Sequence, residues 1–111
     1  MEVSFANQKL QKLCNNAGKL RGEYGSKCAD RIKRRLDELK AAECLEDLRH
    51  LPGPRCHELT GDRVGQLAVD LEHPKRLSFE PDHEPVPVGK SGGLDWQQVT
   101  RVLVIEIVDY H

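Results

Sequence analysis

The sequence predicts an α+β fold: two N-terminal helices packed on a small antiparallel β-sheet. Three observations carry that reading. Apolar residues recur at helical spacing from Leu10 to Leu39, alternation replaces that spacing after "HLPGPR" (His50 to Arg55), and "VTRVLVIEIV" (Val99 to Val108) is a long β-branched run. A chain of 111 residues is near the common domain size, so residues 1–111 are expected to form one domain.

Each element follows from its local pattern. Glu2 to Phe5 reads as a leading strand with Val3 and Phe5 on one face. Leu10, Leu13, Cys14 and Ala17 form a helix stripe, which Asn15, Asn16 and Gly18 interrupt or end. Ser26 is placed to cap a second helix running to Ala42, about 25 Å at ~1.5 Å per residue. On it Ala29, Ile32, Leu36 and Leu39 share a face, and Lys27, Asp30, Arg31, Arg34 and Arg35 occupy the rest. Glu43 to Leu48 adds a short helical turn, after which the two prolines of "HLPGPR" forbid continuation.

Beyond that point the chain reads as strands. Cys56 to Leu59 and Gln66 to Leu71 flank the glycine-bracketed turn "TGDRVG" (Thr60 to Gly65); "EHPK" (Glu72 to Lys75) turns the chain again; Leu77 and Phe79 alternate with Arg76, Ser78 and Glu80. A meander of antiparallel strands is the economical topology. "EPDHEPVPVGKSGGLDW" (Glu80 to Trp96) holds three prolines and three glycines and reads as a long loop inserted in the hairpin between the last two strands.

Composition narrows the function classes. Apolar residues make up 38% and aromatics 5%, so the core must be mostly Leu, Val and Ile, with Trp96, Phe5, Phe79 and the tyrosines as scarce large pieces. The N-terminal residues lack a signal-peptide stretch and no run approaches the ~20 apolar residues of a membrane span, which predicts a soluble, cytoplasmic protein. Cys14, Cys28, Cys44 and Cys56 stand 14, 16 and 12 residues apart, without a CxxC pair or zinc spacing, and read as reduced thiols. Cys56 and His57 are adjacent, so on a strand they face opposite ways and do not share a metal. The net charge of −1 divides into +5 over residues 1–40 and −6 over residues 41–111. The basic part is suited to a polyanion, although a Lys/Arg-rich helix face is more often simply solvated.

In a meander the polar outward positions collect on one sheet face, the helices covering the other. His57 lies on the strand before the glycine turn, Arg63 in that turn, Arg76 on the next-but-one strand, and Asp109, Tyr110 and His111 at the end of the last. Alternation puts Ile105, Ile107, Asp109 and His111 on one side and Glu106, Val108 and Tyr110 on the other, so a one-face site requires the strand to end by about Asp109. Two imidazoles, an acid and two arginines are what phosphodiester cleavage without a metal needs: a base for a 2′-hydroxyl, an acid for the leaving oxygen, and cations for the phosphorane charge.

"LPGPRCHELTGDRVGQLAVDL" (Leu51 to Leu71), "KRLSFEP" (Lys75 to Pro81) and "VIEIVDYH" (Val104 to His111) together resemble the HigB-type toxins, or proteic killer proteins, of the RelE/ParE superfamily. The likeness runs the length of the chain, and the turn motif with a terminal D-Y-H is far more specific than either motif alone. It implies a RelE-like, microbial-ribonuclease-like fold and the toxin of a bacterial type II toxin-antitoxin pair, a ribosome-dependent mRNA endonuclease that inhibits translation. His57 and His111 would then be acid-base residues, Asp109 would assist proton transfer, Tyr110 would orient or stack on the nucleotide, and Arg76 would hold the scissile phosphate with Arg63 as a second candidate. Lys27, Arg31, Lys33, Arg34 and Arg35 would face ribosomal RNA. No metal or other cofactor is implied. The expected partners are a HigA-type helix-turn-helix antitoxin, the ribosome and mRNA, with operator DNA reached only through the antitoxin and no membrane. The alternative is the same fold as a non-catalytic binding module, directed at a gyrase-type target or serving as a co-repressor, which the low net charge favours.

Overall fold

The computed structural model describes residues 1–109. Within them a five-stranded sheet runs in the order β1-β5-β4-β3-β2, with β1 Glu2–Phe5, β2 His57–Glu58, β3 Leu67–Asp70, β4 Lys75–Pro81 and β5 Arg101–Asp109. The β2–β3, β3–β4 and β4–β5 pairings are antiparallel, as a meander requires. The β1–β5 pairing is parallel, which corrects the expectation of an antiparallel sheet. Antiparallel neighbours can be joined by a turn, whereas β1 reaches β5 only after the helices and the meander. It therefore docks on the free edge of the last strand.

The helical segment also differs in its punctuation. Helix α1 spans Gln8–Cys14 and α2 spans Ala17–Ala41. Asn7 caps the first, its side-chain oxygen accepting from Leu10 N at 2.8 Å, and Asn16 caps the second, accepting from Lys19 N at 3.0 Å. The interruption at Asn15 and Asn16 is thus the junction between two helices. The second begins nine residues before Ser26, and its break falls at Gly25, whose φ of 81° only glycine adopts freely. A short α3, Glu46–Arg49, follows.

The core lies between α2 and one face of the sheet. Leu20, Ile32, Leu36 and Leu39 of α2 meet Leu67 and Val69 of β3, Leu77 and Phe79 of β4, and Val102 and Val104 of β5. Burying each such side chain contributes roughly 1.5–3 kcal/mol. This cluster decides which way every strand faces, because the side-chain period is two.

Arg35, one helical step from Leu36, is buried at 3% exposure. Its guanidinium donates to the Asp70 carbonyl at 2.7 Å, the Gly53 carbonyl at 3.0 Å and the Glu38 carboxylate at 2.7 Å. The expectation that Arg35 faces RNA is therefore corrected. The buried cation takes up one carbonyl of the Pro-Gly segment ahead of β2, that of Gly53, and the Asp70 carbonyl at the end of β3. Lys27, Arg31, Lys33 and Arg34 are exposed.

The connection from β4 to β5 is held by its own contacts. His83 Nε2 accepts backbone N–H groups from Thr100 at 3.0 Å and Arg101 at 3.3 Å, and Val88 bridges Leu94. Trp96 closes it, buried, with its indole N–H on Glu58 at 3.1 Å and the Arg49 guanidinium 3.9 Å above the ring. No described helix is long and apolar enough to cross a membrane.

Candidate functional site

The sheet face away from the helices presents two adjacent rows. His57, Ala68, Ser78 and Glu106 are cross-strand neighbours in one, and Asp70, Arg76 and Val108 in the other. Ala68 and Ser78 are fully buried although they belong to this outer face. Their small side chains let larger neighbours close over them.

His57 sits where the rows meet. Its Nδ1 lies 2.8 Å from the carbonyl of Arg55. A carbonyl only accepts, so Nδ1 carries the proton and the lone pair of the neutral ring is on Nε2. That nitrogen faces Arg76 Nη1 at 3.4 Å. Arg76 Nε in turn lies 3.5 Å from Asp70 Oδ1. Asp70 also accepts from Arg55 in bidentate fashion, Nε at 2.7 Å and Nη2 at 3.1 Å, and this hydrogen bonding pushes the Arg55 pKa further up. The result is an imidazole base edge beside a guanidinium, with a second arginine and one carboxylate behind them.

Arg63, from the turn after β2, reaches across β3 and β4 to pair with Glu106 on β5, and also donates to Gln66 at 3.0 Å. Ser78 Oγ donates to the Glu106 carbonyl at 3.2 Å. Arg63 is therefore on the same face as Arg76, already engaged with a carboxylate.

Strand β5 continues to Asp109, which is exposed and paired in register with Lys75. By alternation Asp109 stands with Ile107 on the side opposite Glu106 and Val108, away from the His57 row. Tyr110 and His111 lie outside the described residues. The face thus brings together His57, Arg76 and Arg63, and does not bring Asp109 with them. The sequence reading missed Arg55, Asp70 and Glu106. The signal for all three was parity: Arg55 precedes His57 by two, Asp70 follows Ala68 by two, and Glu106 precedes Val108 by two.

The thiols take no part. All four cysteines are free, and burial pushes Cys56 up to about 12 and Cys14 up to about 11, so both are neutral at physiological pH. Among the described residues no three His, Cys, Asp or Glu side chains are grouped to hold a metal ion.

Such a face, an imidazole lone pair beside fixed guanidinium groups on an open sheet, defines a class capable of binding a phosphodiester and taking a proton from a neighbouring hydroxyl. At the level of fold the chain is built like a toxin of the YoeB/ParE type. One similar solved structure is a YoeB/ParE toxin from Agrobacterium tumefaciens, with a TM-score of 0.57 over 100% of both chains at 11% identity. No family model and no curated protein matches the sequence.

Proposed function

We propose that this protein is the toxin of a type II toxin-antitoxin pair and cleaves mRNA on the ribosome. The observation that carries the reading is the His57 Nε2 lone pair beside Arg76, on a fold shared with a YoeB/ParE toxin. His57 takes the proton of a ribose 2′-hydroxyl, the 2′-oxygen attacks phosphorus, and the bond to the 5′-oxygen breaks. Arg76 stabilises the charge on the phosphorane oxygens. The 5′-oxygen leaves with a proton from a general acid, the role that the family resemblance gives to His111. The products are a 2′,3′-cyclic phosphate and a 5′-hydroxyl, and no metal or cofactor enters any of these steps. The same resemblance gives Tyr110 a nucleotide-orienting role and Asp109 one in proton transfer, although Asp109 stands on the side of β5 away from His57.

On this reading the protein acts in the bacterial cytoplasm. A HigA-type helix-turn-helix antitoxin holds it in check and supplies the contact to operator DNA. Lys27, Arg31 and Arg34, spaced i, i+4, i+7 on α2, share an exposed face suited to ribosomal RNA, with Lys33 on the adjoining side.

The test is to map mRNA 5′ ends by primer extension in a translating extract. The full chain should create new ends inside the reading frame, and His57→Ala and a chain lacking His111 should not. Absence of cleavage by the folded, antitoxin-free chain would favour the second reading, a non-catalytic binding module for a gyrase-type target or a co-repressor. One observation supports that alternative: Asp70 and Glu106 already neutralise much of the arginine charge on the face.

A further inference from the structure

We propose that Asp70 is a positioning residue for the His57–Arg76 pair and that it acts through Arg55. Its effect on cleavage rests on the nuclease reading above, whereas its effect on the ring of His57 does not.

All four polar atoms of Asp70 are in use. The backbone N–H donates to the Pro54 carbonyl at 2.7 Å, and the backbone carbonyl accepts from the buried Arg35 at 2.7 Å. The two carboxylate oxygens hold Arg55, and one of them also faces Arg76 Nε. Arg76 is the cross-strand neighbour of Asp70, so the register of β3 and β4 itself brings that guanidinium to the carboxylate.

Arg55 is the unusual member of the group. Its φ is 46°, a left-handed conformation that a residue with a side chain adopts reluctantly. In that conformation its carbonyl meets His57 Nδ1, and its guanidinium folds back to Asp70. The Arg55–Asp70 pair and the Asp70–Pro54 hydrogen bond, together with the Arg35 contact to the Gly53 carbonyl, keep this segment turned. Asp70 thereby sets two things at once: the tautomer of His57, through the Arg55 carbonyl, and the direction of the Arg76 fork. An exposed ion pair without such a role is worth about 0–1 kcal/mol and would leave the imidazole unaffected.

Asp70→Asn keeps the size of the side chain and removes its charge. In the full chain, nitrogen-15 spectra of neutral His57 should show protonation at Nδ1, and the variant should show a mixture of the two tautomers. On ribosome-bound message the variant should lose about tenfold in single-turnover rate at saturating protein, with the half-saturating concentration changed less than twofold. Asp70→Glu, which keeps the charge, should recover part of the rate. Arg55→Gln alters a side chain that is more than half exposed and should mix the tautomers as well, so the proposal remains testable if the Asp70 variants fold poorly. An unchanged His57 tautomer in the folded variants overturns the proposal. If the unaltered chain does not cleave, the nuclease reading fails, and the tautomer spectra still decide the role of Asp70.

Discussion

His57 owes its chemistry to its neighbours more than to its type. A strand imidazole with both nitrogens in water would interconvert between tautomers, whereas the Arg55 carbonyl at 2.8 Å selects one of them. Arg76→Ala removes the cation nearest the base edge and, on the nuclease reading, should lower the single-turnover cleavage rate by about 10²–10³-fold while leaving the urea midpoint unchanged. A second prediction at this scale concerns the thiols. Burial raises Cys56 to about 12 and Cys14 to about 11, so in the folded chain both keep their protons at a pH where an unfolded thiol, near 9, has lost its own. Above that pH the unfolded state binds fewer protons than the native state, and stability must fall as pH rises. Urea midpoints should therefore be flat below about pH 8 and decline from about pH 9 towards 11, and Cys56→Ala should flatten the decline.

Helix α2 sets the sheet and its site in place, and two of its residues can be replaced to show it. Arg35 ties α2 to the Gly53 carbonyl and to the end of β3 from beneath the sheet. Arg35→Ala leaves two carbonyls without their donor and should cost about 3 kcal/mol, read as a lower urea midpoint with an unchanged slope. The kink at Gly25 bends α2 so that Leu20 before it and Cys28, Ala29 and Ile32 after it all enter one core. Gly25→Ala places a Cβ at φ 81°, where open space offers no clash but the backbone conformation is strained, and should destabilise by about 1–2 kcal/mol. The core face of the sheet was legible from alternation alone, since Leu67, Val69, Leu77 and Phe79 all reach the core. The start of α2 was not, because Asn16 caps a helix whose first turns, around Gly18 and Gly22, carry little apolar patterning.

At the scale of the whole molecule the charge division matters. A net charge of −1 gives no long-range attraction to RNA, so any affinity must come from local patches. The exposed Lys27, Arg31 and Arg34 form such a patch on α2, remote in sequence from the arginine cluster on the sheet. Reversing all three to Glu should weaken ribosome binding and reduce the slope of log affinity against log salt by roughly 2, measured by co-sedimentation between low and physiological salt. A solvated face with no such role would leave the slope unchanged.

The sequence by itself determined the α+β class, the change from helical to strand periodicity near the Pro-Gly segment, and the candidacy of His57, Arg63 and Arg76 for one face. Those properties are local: side-chain period, turn chemistry and residue type are written within a few positions of each other. Only the tertiary structure decided that β1 joins β5 in parallel, that Arg35 is a buried strut, and that Asp109 stands on the side away from His57. Each of these depends on strand register or on carbonyls brought together from distant segments. The same holds for the Arg55–Asp70–Arg76 group, whose members are separated by up to 21 positions in the chain and meet because β3 and β4 pair Asp70 with Arg76.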